Sequence, residues 1–88
     1  MKLLVFGEPQ AYTDKHNLER LLKALEESGR QVERVDILTR EGVARMATYG
    51  VMTTPAFVVI NDDGVAVSDW QYSQPNYEEL CHAFGVFA

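Results

Sequence analysis

Cysteine is nearly missing from this chain: Cys81 is the only one among 88 residues. One thiol cannot close an intramolecular disulfide or build a multi-cysteine zinc site. Dithiol–disulfide chemistry within one chain is therefore excluded. Long apolar runs are missing too. The longest wholly apolar stretch is Ala56 to Ile60, far below the roughly 20 residues of a spanning helix, so no membrane segment is expected. Met1-Lys2-Leu3-Leu4-Val5-Phe6 starts like a secretory leader. Gly7-Glu8-Pro9 stops it short of the roughly 7–15 residues of an h-region, and a cytoplasmic location is the expectation. Positive charge is scarce: 8 Lys and Arg against 13 Asp and Glu leave a net charge of −5, with no basic run. That balance argues against nucleic acid or an anionic membrane as partner. Repeats, low-complexity stretches and linkers are also lacking, and residues 1–88 are expected to form a single domain.

What is present is a regular succession of local signals. Leu3 to Phe6 is a continuous apolar run, suited to a central strand covered on both faces. Leu18, Leu21, Leu22 and Leu25 recur at i, i+3, i+4 and i+7, one face of a helix. Thr13 or Asp14 suits its start, and Gly29 its end. Val32 to Leu38 reads as a second strand, with Val35 and Ile37 on one side and Arg34 and Asp36 on the other. Thr39 is placed to cap a shorter helix carrying Val43, Met46 and Ala47, closed by Gly50. Ala56 to Ile60, the turn Asn61-Asp62-Asp63-Gly64, and Val65 to Tyr72 read as a hairpin. Asn76 with Glu79 forms a capping box. It opens a helix expected to bury Tyr77, Leu80, Cys81 and Phe84 and to end at Gly85.

The order is β-α-β-α-β-β-α, an α/β fold. The βαβ unit requires two parallel strands and a right-handed crossover. The hairpin adds two antiparallel strands. The result is a four-stranded mixed sheet with helices on both faces.

This order, together with Val51-Met52-Thr53-Thr54-Pro55-Ala56-Phe57, resembles the thioredoxin-like superfamily, closest to its small thioredoxins and glutaredoxins. The resemblance runs from Lys2 to about Phe84. In that family a Tyr-Gly-Val/Ile segment ends the second helix and leads to a cis-proline at the start of the third strand. Tyr49-Gly50-Val51 and Thr54-Pro55 occupy those places. The family's C-x-x-C, which usually follows a proline, would fall after Pro9 on Ala11-Tyr12-Thr13-Asp14, where both cysteines are missing. Ala11, at the place of the family's nucleophilic cysteine, offers no nucleophile, and Asp14 puts a carboxylate near the same helix end, which the dipole also favours. The glycine pair that glutaredoxin-like proteins use near the glutathione carboxylate is also missing. Trp70-Gln71-Tyr72 stands in its region.

The departure from the family pattern leaves a site without its dithiol chemistry. In the family, the backbone of the residue before the cis-proline pairs with an extended peptide or with glutathione. Thr53, Thr54, Pro55 and Tyr12 are the corresponding ligand-contact candidates here, with no catalytic residue, metal or cofactor. The leading expectation is a redox-inactive module that binds a protein or peptide partner. A glutathione- or thiol-dependent enzyme using Tyr12 or Thr13 is an alternative. So is a homo-oligomeric unit associating through an edge strand or through Trp70 and Tyr72; the chain is expected to be a monomer or a weak homodimer. Trp70 and Tyr72 share a strand face with Ala66 and Ser68, opposite Val65, Val67, Asp69 and Gln71, and read first as core filling. Cys81 reads as a small buried hydrophobe. His16 and His82 share no ligand spacing. The acidic pairs Glu26-Glu27, Asp62-Asp63 and Glu78-Glu79 read as solvated surface.

Overall fold

In the computed structural model, residues 1–7, 15–71 and 73–85 are described. Four strands and three helices follow in the order β1 (Lys2–Gly7), α1 (Lys15–Glu27), β2 (Gln31–Asp36), α2 (Arg40–Tyr49), β3 (Ala56–Ile60), β4 (Ala66–Trp70) and α3 (Tyr77–Phe84). The strands form one sheet in the order β2-β1-β3-β4. β1 runs parallel to β2, with Leu3 opposite Val32, and antiparallel to β3, with Leu3 opposite Val59. β4 closes the hairpin on β3, with Phe57 opposite Trp70. The α/β architecture read from the sequence is the observed one.

Strand alternation divides the core into two layers. Leu3, Val5, Phe57 and Val59 face Leu18, Leu22 and Leu25 of α1 and Leu80 and Phe84 of α3. Leu4, Phe6, Val58 and Ile60 face the other way, with Val35, Val51 and Ala56, and Met46 and Tyr49 of α2 pack on them. β1 and β3 are thus apolar at almost every position because both of their faces are covered. Each fully buried leucine contributes about 1.5–3 kcal/mol relative to exposure.

Several element ends differ from the sequence reading. β2 stops at Asp36 rather than Leu38. The Asp36 carboxylate accepts the Leu38 N–H at 2.9 Å, and the Asp36 carbonyl accepts the Thr39 N–H and hydroxyl at 3.2 and 2.8 Å. These bonds turn the chain, and Leu38 is left exposed. Thr39 then caps α2 as expected, accepting the Gly42 N–H at 2.9 Å. The packing face of α2 is not Val43 and Ala47, which are exposed, but Gly42, Met46 and Tyr49. Gly42 sets this rotation: a Cβ there would lie 2.0 Å from the Asp36 carbonyl oxygen, so only glycine lets the helix approach the end of β2 so closely.

β4 begins at Ala66 rather than Val65. The Asn61 side-chain oxygen accepts the N–H groups of Asp63 and Val65, which ties Val65 into the turn. The register shifts between Val59 and Ile60, which leaves Val67 of β4 as the extra residue of a bulge. Tyr72, the other end expected for this strand, lies outside the described residues. The capping box of α3 is formed: Asn76 accepts the Glu79 N–H at 2.8 Å, and Glu79 accepts the Asn76 N–H at 3.2 Å. The buried stripe of α3 is Leu80 and Phe84, with Ala83 partly buried. Tyr77 sits at the outer end of that stripe, in the first turn, and is exposed, while Cys81 is half-buried rather than buried.

No helix of the described residues is long and apolar enough to cross a membrane.

Candidate functional site

The end of β1 and the start of β3 meet at one edge of the molecule, where Phe6 lies opposite Ala56 and Gly7 opposite Asp36. The segment from Gly50 to Pro55 crosses this end. It begins at the close of α2, where Gly50 takes a left-handed conformation with φ 66°. The Gly50 N–H donates to the Ala47 carbonyl and the Val51 N–H to the Met46 carbonyl, at 3.3 and 2.8 Å. Val51 is buried beneath the segment among Leu4, Phe6 and Ala56. Phe6 meets Tyr49 edge-on, with ring centroids 6.3 Å apart.

Beyond Val51 the segment is held from the side by one residue. Gln71, just past the end of β4, accepts the Met52 N–H on its side-chain oxygen at 2.7 Å. Its amide nitrogen donates to the Gly50 carbonyl at 3.3 Å and to the Asp69 carboxylate at 2.9 Å. Its backbone carbonyl accepts the Thr53 hydroxyl at 2.5 Å. The amide side chain thus supplies the donor and acceptor that a neighbouring strand would offer. This fixes Gly50, Met52 and Thr53 where no regular ladder reaches.

The consequence is a fixed backbone with an exposed crest. Thr53 is half-buried, whereas Met52, Thr54 and Pro55 are exposed. The Thr54–Pro55 peptide bond is cis. Thr54 lies before the first paired residue of β3, Ala56. Among the described residues its backbone N–H and C=O have no hydrogen-bond partner. An N–H and C=O without a partner on a held segment are what strand addition by an extended ligand uses, and pre-fixing the segment removes an ordering cost from binding.

The structure therefore brings Thr53, Thr54 and Pro55 together. Tyr12 and the motif position Ala11–Asp14 lie outside the described residues, as does the alternative hydroxyl of Thr13. Gln71 was read from sequence only as a face residue of the fourth strand. Its contacts with Gly50, Met52 and Thr53 lie 18 to 21 residues away, and no local pattern announces them. Trp70 is half-buried against the first core layer, as core filling requires. Cys81 and the exposed His82 sit on α3, in the layer opposite α2. Among the described residues no three His, Cys, Asp or Glu side chains cluster to hold a metal ion.

The strongest electrostatics lie away from this segment. Glu33 of β2 binds Arg45 of α2 and, at 3.0 Å, Lys2 of β1. Hydrogen bonds from Arg45 and then Lys2 hold its carboxyl below the ordinary value of 4.5. Arg34 forms a two-point ion pair with Glu19 of α1. The Met1 ammonium lies 2.6 Å from the Asp62 carboxylate and holds it below its usual value. These pairs tie α1 and α2 to β2, β2 to β1, and the N-terminus to the turn between β3 and β4.

Among solved structures, thioredoxin 1 from the thermophilic eubacterium Thermosipho africanus superposes with a TM-score of 0.72 over 99% of this chain and 93% of its own, at 15% identity. A designed protein known from its backbone chemical-shift assignments superposes with a TM-score of 0.64 over 94% of this chain and 68% of its own, at 23% identity. No protein-family model and no curated protein matches the chain. The fold is thioredoxin-like.

Proposed function

We propose that the chain is a redox-inactive thioredoxin-like module that binds an extended protein or peptide segment along Met52–Pro55. One observation carries this reading: Thr54 is exposed and its backbone N–H and C=O have no partner among the described residues, beside Pro55, on a segment that Val51 anchors from below and Gln71 from the side. The ligand pairs with the Thr54 N–H and C=O as an added strand does. The sequence supports the redox half of the proposal, since its single cysteine lies on α3 and none stands at positions 11–14.

The test is selection of binders from a random peptide library, then titration of a selected peptide into isotope-labelled protein. The peptide should shift the amides of Thr53, Thr54 and Ala56, and Pro55→Ala should weaken it about tenfold, equivalent to ~1.4 kcal/mol. Selected peptides that move other amides and bind the variant equally would overturn the assignment. Glutathione at millimolar concentration shifting the same amides would favour a small-thiol ligand instead. Disulfide reductase turnover that survives in Cys81→Ser would remove the redox-inactive half.

A further inference from the structure

Met52 is the most exposed large hydrophobic side chain among the described residues, at 81%, ahead of Leu38 at 70%. Its backbone is held on both sides. The Met52 N–H is fixed on Gln71, the preceding Val51 is buried, and the following Thr53 is bonded through its hydroxyl to Gln71. Met52 thus stands exposed on a held stretch of backbone, two residues before Thr54. The other two methionines are differently placed. Met46 is half-buried against the second core layer, and Met1 is 38% exposed.

We propose that Met52 is the chain's preferred site of oxidation by hydroperoxides, and that its sulfoxide alters the segment that carries Thr54. In this step the thioether sulfur attacks the distal peroxide oxygen. The S–O bond forms as the O–O bond breaks, and the proton of the attacked oxygen passes to the departing oxygen. The sulfur gives up two electrons to become a sulfoxide, and the peroxide is reduced to water or an alcohol. Access of the oxidant to sulfur sets the rate, so the ranking follows exposure. The product replaces a soft apolar group by a strong hydrogen-bond acceptor. It sits in sequence beside the Met52 N–H and the Thr53 hydroxyl, both of which are bonded to Gln71. A new acceptor there competes for the donors that fix the segment. The inference does not require a peptide ligand and stands or falls separately from the proposed function.

The experiment is a time course with hydrogen peroxide, read by peptide mass spectrometry and by amide shifts of isotope-labelled protein. Met52 sulfoxide should accumulate about tenfold faster than Met46 sulfoxide, in line with access. The amides of Met52, Thr53 and Thr54 and the Gln71 side-chain amide should shift, while Leu80 and Phe84 stay in place. Met52→Leu should keep the fold and lose those peroxide-induced shifts, and methionine sulfoxide reductase should restore them in the wild type. Equal rates at Met46 and Met52, or an oxidised Met52 that leaves Thr53, Thr54 and Gln71 unmoved, would overturn the proposal.

Discussion

Gln71 and Gly42 carry more of the architecture than their size suggests. Gln71→Ala removes the acceptor for the Met52 N–H and a donor to the Gly50 carbonyl. Each lost hydrogen bond is worth about 0.5–1.5 kcal/mol, and the effect is local. Amide hydrogen exchange at Met52 should quicken about tenfold, whereas the core amides of Leu4 and Val58 should exchange as before. Equal exchange at Met52 in both proteins would show that the side chain does not hold the segment. Gly42→Ala tests packing instead. Alanine favours a helix by about 1 kcal/mol over glycine, but its Cβ would lie 2.0 Å from the Asp36 carbonyl oxygen. Overpacking of this kind costs about 1–3 kcal/mol, so the thermal midpoint should fall. A rise would mean that α2 can swing off the end of β2 without loss. Neither role was legible in the sequence. Gln71 acts across the fold through a polar side chain with no periodic signature. Gly42 matters because of a carbonyl six residues back, whereas the apolar pattern singles out its neighbour Val43.

At the scale of elements, periodicity read well and boundaries read poorly. The Leu18, Leu21, Leu22 and Leu25 spacing gave α1 directly, and the Asn76–Glu79 pair gave the start of α3, because each signal lies within one turn of the chain. β2 and β4 were read too long for the same reason in reverse: Ile37, Leu38 and Val65 continue an apolar pattern. What ends these strands is the carboxylate of Asp36 and the amide of Asn61 turning the backbone. The segment at Thr53–Pro55 was legible only through its family resemblance. Between elements, Glu33 ties β2 to α2 and β1. Its folded carboxyl titrates below the ordinary 4.5, so it contributes stability that is present above that value and is lost as the pH falls through the folded value. The pair is partly exposed, which limits the gain to less than about 1 kcal/mol. Urea midpoints measured near pH ~6 and near pH ~3 should fall further for the wild type than for Glu33→Gln. Parallel falls would assign the acid sensitivity elsewhere.

At the scale of the whole molecule, the described sheet ends in β2 and β4, and each of these edge strands carries a feature that opposes pairing. A two-fold pairing of β2 with its copy must place a residue opposite itself. The two registers of greatest overlap put Glu33 on Glu33 or Arg34 on Arg34, and like charges directly opposed are unfavourable. The β4 edge carries a bulge at Val67, which twists an edge away from straight pairing. Sedimentation at high concentration should therefore show a monomer, with and without reductant. A reductant-sensitive dimer would implicate Cys81, and a reductant-insensitive one would mean that an edge is open after all. The strand order has a further consequence, for synthesis rather than for the finished fold. β1 lies at the centre of the sheet, between β2 and β3, yet the ribosome makes it before either. The apolar run from Leu3 to Phe6 must leave the exit tunnel with both edges unpaired, and it gains its antiparallel neighbour only when Ala56–Ile60 follows. The least polar strand pair of the protein is therefore completed late in translation, and a nascent chain stalled before Ala56 would be the species most in need of a chaperone.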